Sequence, residues 1–573
     1  MGRRSILATA ASIGLTSVSG CLRDVRSVLS RDSPTRVRLS IATVPADYDP
    51  YPVMIANRLR SHLESIGIEV GVDLLSIEEL RARMLLNHDF DIAIARHPGD
   101  RDPDFLFGLL HSSFAPESGW QNPYGYSNLD LDSMLEEQRR QSDILRQGTV
   151  GEVLTVVART QPFSPLCVPT ERRLVRVDRI EGARGRSFSQ PTDILGLRAI
   201  GETEELRFAI RETSPTENLN PLSVEYRDRG LIMGLLYDRL ALEVGDDYHP
   251  WLAQQLDWRG DGVEVTLRES TWHDGESVTA DDVAFTYRFL ADTALGSTES
   301  PVPTPRLRGR SRLVDTVETV DERTVDITFD AHQEVASRAL TTPILPEHIW
   351  EDRSVAAELG GIPWDDTTTE ALVLDNIPPV GSGPYRYVDS VEREFLELER
   401  VEQHFANDED VELPYRPPAD RLFFDVVPNE GGALAGIEGG DIDLTLASIR
   451  QLTIEDPLPD DVALVEVESP GFYHVAFNVR NQPLSNTNFR RIVARLLDKE
   501  HLVDDVFDGT ARPVAVPVDE DPWAPASLRW DGADPEVPFL GEDGVLNATT
   551  AREAMTEVGF RYDEDGFLIE RGE

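Results

Sequence analysis

Five apolar segments between Val37 and Ala95 change period in turn, and their order restricts the fold more than any other feature of the chain. Val37 to Val44 reads as a buried strand. Met54, Ile55, Leu59, Leu63 and Ile66 recur at helical spacing, and Gly67 closes that helix. Ile68 to Leu75 alternates like a strand, Ile77 to Leu86 is helical, and Phe90 to Ala95 is extended again. A strand–helix–strand–helix–strand run needs crossover connections, so it predicts an α/β region with a largely parallel sheet.

The remaining elements follow in less regular order. Leu129 to Arg146 and Gly151 to Thr160 read as helices. The pattern resets at 192–204, after which Leu206 to Ile210 starts a strand, Arg229 to Leu240 a helix and Val263 to Leu267 a strand. Thr279-Ala280-Asp281-Asp282 is a helix N-terminal signal for a helix through Phe285 and Leu290. Residues 295–312 form a Pro/Gly/Ser loop, Val314 to Val320 and Thr324 to Phe329 a hairpin, and 411–422 a Pro-rich loop. Ile442 to Leu446, Val462 to Val467 and Tyr473 to Asn478 read as strands, Asn488 to Leu497 and Ala551 to Val558 as helices. No tandem repeat is evident. A chain of 573 residues has room for several domains.

Charge excludes whole classes of partner. The balance of 55 basic against 103 acidic side chains gives −48, and the only lysine is Lys499. Such a surface repels nucleic acid and anionic lipid, so no nucleic-acid partner is expected. At low salt the self-repulsion would push a compact fold apart, whereas at molar salt the Debye length falls to about 3 Å. Carboxylates spread over the chain with almost no Lys resemble the proteins of extreme halophiles, of haloarchaeal type.

The first 21 residues read as an address. Arg3 and Arg4 precede a weakly apolar stretch, Ser5 to Ser19, too short and polar to span a bilayer. The pair resembles a twin-arginine export signal, and Val18-Ser19-Gly20-Cys21 resembles a lipobox, with Cys21 as the lipidation site. The expectation is a protein tethered through residues 22–36 and held at the outer face of the cell membrane by its lipid anchor. Cys167 is then the one other cysteine, and its apolar neighbours (PFSPLCVP) mark it as a buried small residue. Asn547-Ala548-Thr549 is a short glycosylation pattern.

Catalytic and cofactor motifs are missing. The histidines are scattered without a zinc spacing, no phosphate loop or GxSxG elbow occurs, and Gly381-Ser382-Gly383-Pro384 lacks the rest of a dinucleotide fingerprint. The sequence gives no support for an enzyme, and no cofactor or metal is expected.

Positive signals come from segments with a family likeness. Val265 to Leu290 (VTLRESTWHDGESVTADDVAFTYRFL), Leu345-Pro346-Glu347-His348-Ile349, Gly381-Ser382-Gly383-Pro384-Tyr385, Ala433 to Leu444, Phe477 to Arg491, Leu497-Asp498 and Phe507 to Thr510 follow one another. In that order they resemble the family 5 extracellular solute-binding proteins, the dipeptide and oligopeptide receptors of ABC importers. Ala56 to Val70, Phe90 to Phe105 and Tyr124 to Met134 resemble the same family, but its C-terminal part. The resemblance therefore implies a circularly permuted order, with the usual termini joined near 192–204.

What the resemblance implies is an α/β, two-lobed periplasmic-binding-protein-like fold of type II with an inserted third subdomain. One lobe would comprise 37–165 and 473–573, the second 166–240 and 345–472, and the insert 241–344. A ligand would sit in the interlobe cleft, which closes by hinge motion. The family's carboxylate for a ligand amino group falls on Asp100, or on Asp102 in the alternate register, because this loop is one residue shorter than the family pattern. The plainer reading of Asp100 is a solvated loop acid. Thr213 and Ser214 follow a strand and are expected to face the cleft, and Tyr473 and Asn478 to supply strand-edge contacts. The implied partners are a peptide or other small solute and the ABC permease and ATPase subunits, with the protein itself a monomer. A nickel chelate, haem, sugar or opine ligand, or a role as a secreted peptide chaperone or sensor, are the alternatives.

Overall fold

In the computed structural model, which describes residues 35–226, 230–359, 362–363, 368–450, 454 and 457–569, the first predicted strand runs Arg38–Thr43. The export signal, Cys21 and nearly all of the tether lie outside the described residues. Arg38–Thr43 sits between two parallel neighbours, Glu69–Leu74 and Ile92–His97. The helix between the first two strands, Pro50–Ser65, starts where Asp49 accepts a hydrogen bond from the Tyr51 amide (3.1 Å). It buries Ile55, Leu59 and Leu63, while Met54 lies outside that stripe and is largely exposed. Truncating one of those buried leucines to Ala would cost about 2–5 kcal/mol.

The sheet then recruits a strand from nearly 400 residues further along. Phe472–Phe477, buried at every position, pairs antiparallel with Ile92–His97 on one side and Phe163–Arg176 on the other. Ile41, Leu59 and Ile92 share one apolar core with Phe489, Val493, Leu502, Met555 and Phe560. Val37 N–H donates to Leu568 O (2.8 Å), and Arg36 bridges to Ile569, so the two ends of the described chain meet edge to edge.

Phe163–Arg176 is the longest strand, and it belongs to two halves of the molecule. Its first part pairs with Phe472–Phe477 and Ala511–Pro513, its second with Val462–Glu468. Beyond it the sheet continues through Leu444–Thr445, Glu205–Ile210, Arg421–Val426, Phe395–Arg400 and Tyr385–Val391. Phe208, Leu422, Phe424, Leu396 and Tyr385 make the core of this second half. The chain thus crosses between the halves at 169–171 and 468–472, two adjacent segments tied by the Ser469 N–H on Pro169 O (2.9 Å).

A third, smaller core lies under an antiparallel sheet ordered Ala253–Arg259, Gly262–Leu267, Thr324–Phe329, Val314–Asp321. Helix Ala280–Ala291 starts at a Thr279/Asp282 capping box and faces two ways. Val283 and Tyr287 pack on this sheet, whereas Phe285 and Phe289 pack into the second half.

Several local expectations need correction. The predicted helix Arg229–Leu240 is reduced to Met233–Leu236. Its residues are buried on every side, and Gly234 lies so close to Pro191 that a Cβ would stand 2.4 Å away, so close packing replaces an amphipathic helix. The helix Leu129–Arg146 breaks at Gln141–Ser142 into Leu129–Arg140 and Asp143–Thr160, which pack on each other. The strand Ile442–Leu446 is only Leu444–Thr445, and the loop 295–312 ends in a short helix, Arg308–Ser311. The hairpin of Val314–Asp321 and Thr324–Phe329 forms antiparallel, as its alternation predicts.

Candidate ligand-binding cleft

Two chambers open where the halves and the small third region meet. One, of about 480 Å³, lies between the loop after His97, the segment 184–193, the stretch from Gly230 to Gly245, and Arg306, Arg310 and Arg338 of the third region. The other, of about 350 Å³, lies between Val44–Pro52, the face carrying Leu80 and Met84, the start of the second half at Ile210–Pro215, and Leu446–Arg450. Trp120 and Ser187 line both, so the chambers share a wall. The Trp120 indole N–H is buried without an acceptor, with its ring edge-on to His97 at 5.4 Å.

The acidic loop enters the first chamber through a tight turn. Gly99 has φ +66, and a Cβ there would stand 1.9 Å from Pro470 O, so only glycine lets the loop lie against the crossover. Asp100 lines the chamber and takes Arg338 at 2.7 Å and Arg310 at 3.3 Å. Asp102 stands behind it, on Arg146 (2.6 Å) and Arg338 (3.2 Å), and Asp104 takes Arg139 (2.6 and 3.0 Å). Burial works to raise the pKa of Asp100 and Asp102, but Arg338 with its neighbouring guanidinium groups outweighs it and holds both below the ordinary carboxylate value. Arg338 and Arg310 belong to the third region, so this cluster pins it to the loop of the first half.

The opposite wall of that chamber is differently balanced. Arg239 is 7% exposed and reaches only Gly230 O, at 3.5 Å, while its Nε has no partner. Its sequence neighbour Asp238 faces the other way, accepting from Trp251 Nε1 (2.7 Å) and standing 3.2 Å from His404 Nε2. Burial and the charges of Arg310 and Arg306 lower the Arg239 pKa to about 9. In all, seven arginines and four carboxylates line this chamber, in a chain whose net charge is −48.

The second chamber is more aromatic. Tyr48, Trp120, Phe188 and Tyr473 line it with Leu80, Met84 and Ile232. Tyr473 donates to Asp49 Oδ2 (2.8 Å), so it holds the carboxylate that also caps Pro50–Ser65. Burial raises the pKa of Asp49 above the usual carboxylate value, opposed by the Tyr473 hydrogen bond, and burial pushes Tyr473 up in turn. Glu171 joins Arg96 and Arg173 across the crossover.

The expected site residues divide accordingly. Asp100 lines one chamber, and Ser214 and Tyr473 the other. Asp102 is not on a chamber wall, and Thr213 precedes the short helix Ser214–Glu217 without lining either chamber. Asn478 is turned away: its amide donates to His88 O and Phe90 O, each at 2.9 Å, which makes it a buried clamp between two strands' ends. Sequence reasoning missed Arg239, Arg310, Arg338 and Trp120. For Arg239 a signal existed, a charged pair inside the apolar run LIMGLLYDRLAL. For Arg310 and Arg338 none did, since arginine is scattered throughout. Cys167 is buried, and burial pushes its thiol pKa up, consistent with an inert packing residue.

Comparison with known proteins decides the class of molecule to which this cleft belongs. The family model described as bacterial extracellular solute-binding proteins, family 5, middle region, matches residues 247–570. The chain belongs to that family. A family 5 solute-binding protein binds its ligand and is not an enzyme. Its relatives include the oligopeptide-binding protein AppA of Bacillus subtilis (strain 168), 24% identical over 320 residues, which cover 55% of this chain and 51% of AppA. Heme-binding protein A of Haemophilus influenzae is 23% identical over 304 residues, covering 50% of this chain and 52% of that protein. The chain spans about half the length of the curated relatives it matches. Among solved structures, NikZ from Campylobacter jejuni in complex with Ni(L-His) superposes with a TM-score of 0.43 and 18% identity, over 65% of this chain and 66% of NikZ. AppA from B. subtilis in complex with a nonapeptide gives 0.43 and 22%, over 64% and 67%. Among the described residues of this family 5 chain, no helix is long and apolar enough to cross a membrane.

Proposed function

We propose that this chain is the substrate-binding component of an ABC importer and takes a dipeptide or oligopeptide into the two-chambered cleft. The observation that carries this reading is the cleft itself, a deep groove walled by both halves, whose halves are joined by the adjacent crossovers 169–171 and 468–472. Two such crossovers make a hinge, and closure about it would bury a ligand. In this reading the lobes are 37–165 with 473–573 and 166–240 with 345–472, and 241–344 is the insert. The core shared by 37–72 and 475–568 and the meeting of Val37 with Leu568 support a permuted chain order. The oligopeptide-binding relative supports the peptide class.

Asp100 is the residue we assign to the ligand's amino end, in exchange for the longer of its two arginine contacts. Asp100→Asn is then expected to weaken peptides with free amino ends far more than their acetylated forms, and equal losses would reject the assignment. Export by the twin-arginine-like pair, anchoring through an acylated Cys21, a high-salt habitat and a monomeric state complete the proposal, supported by the sequence features given above. Mass spectrometry of what co-purifies in molar salt tests the ligand class. A mixture of short peptides is expected, and one non-peptide compound would overturn the reading.

A further inference from the structure

A buried guanidinium without a counter-ion is costly, because burial removes hydration that nothing replaces. Arg239 is in that position among the described residues. Among the described residues its side chain meets only Gly230 O, at 3.5 Å, the limit of a hydrogen bond, and its Nε is buried without a partner. The fold makes room for it: a Cβ at Gly230 or at Gly234 would stand 3.0 Å from Arg239 Nη2. Arg310 and Arg306 are near enough to add positive potential, and Glu243 opposes them without forming an ion pair with Arg239. At molar salt the −48 of the whole chain is screened within about 3 Å, so a ligand in the chamber meets this local wall rather than the molecule's net field.

Resting on the proposed reading of the cleft, we propose that Arg239 is the anchor for a carboxylate of the bound ligand, supplied by a peptide's C-terminus or by an acidic side chain. A carboxylate there would take the guanidinium's unmatched N–H groups in charge-assisted hydrogen bonds and offset the excess of arginine on the chamber wall.

The test is titration calorimetry of the full chain in molar salt with three probes: Ala-Phe-Ala, its C-terminal amide, and Ala-Asp-Ala amide. At least one of the two carboxylate-bearing probes is expected to bind ten-fold or more tightly than Ala-Phe-Ala amide, which has no carboxylate, and which one tells the terminus from the side chain. Arg239→Gln should remove that advantage, and Arg239→Lys should restore part of it, with unfolding midpoints confirming that both variants fold. The wild-type preference is read without any variant. Equal binding of all three probes, or an advantage that survives Arg239→Gln, would overturn the assignment. Should the wild-type protein bind none of them, the peptide reading fails by itself, and succinate against succinamide decides the carboxylate anchor. Succinate binding that is lost in Arg239→Gln would support it, and no binding, or binding indifferent to the substitution, would overturn it.

Discussion

Arg338 and Arg239 line the same chamber and are buried to the same degree, yet their surroundings differ in kind. Arg338 is the hub of Asp100, Asp102 and Asp104, at 2.7, 3.2 and 3.8 Å. Arg239 meets no carboxylate within ion-pair distance among the described residues, only a carbonyl. Three acids around a buried cation make a joint: here the joint fastens the third region to the loop of the first half. A buried cation with none keeps N–H groups that a carboxylate of the ligand can take. Burial alone therefore does not tell these two arginines apart, whereas the presence of carboxylate partners does.

That contrast can be broken in order of effect. Arg338→Gln is expected to lose about 3 kcal/mol of stability, because it takes the shared cation from three buried carboxylates and leaves each with a single arginine; urea unfolding in high salt measures it. Arg239→Gln should lower stability by no more than about 1 kcal/mol, since no carboxylate is stranded and a costly buried charge is removed. Equal losses in the two variants would erase the distinction.

Asn478→Ala should cost about 1–3 kcal/mol by removing its two hydrogen bonds to His88 O and Phe90 O, with ligand affinity unchanged. A selective loss of binding would return Asn478 to the cleft. Acid sharpens the comparison further. Asp100 and Asp102 have folded pKa values below the ordinary 3.8, so their stabilisation is fully present above about pH 4 and is lost as pH falls through the folded values. Each unit of depression corresponds to about 1.4 kcal/mol. Stability against pH should therefore be less steep below pH 4 in Arg338→Gln than in the wild type, where Asp49, shifted the other way, contributes the opposite slope in both. A loss of about 1 kcal/mol is expected at Thr279→Ala, from loss of the capping box on Ala280–Ala291. It should leave both chambers untouched.

The regular elements were readable because each is decided within a few residues. Period-2 and period-3.6 apolar patterns placed the parallel strands at 38–43, 69–74 and 92–97, and the Thr279–Asp282 box placed a helix start. The reading failed where burial is complete on all sides. In Met233–Leu236 every residue is buried and none is polar, so periodicity carries no information and packing against Pro191 decides. The site was harder still. Asp100 was placed on the cleft wall through family likeness, but Arg310 and Arg338, more than 200 residues away, decide its charge environment.

By itself, then, the sequence determined the α/β character, the acidic surface and the family to which the chain is similar, because those depend on local pattern and summed composition. Tertiary structure decided which charges meet. It buried the only lysine, Lys499, on Asp534 (2.7 Å), drew Arg338 onto three aspartates, and left Arg239 beside the first chamber with a carbonyl alone. Ion pairing acts over a few ångströms of space and is blind to separation along the chain, so among dozens of arginines only the fold can single one out.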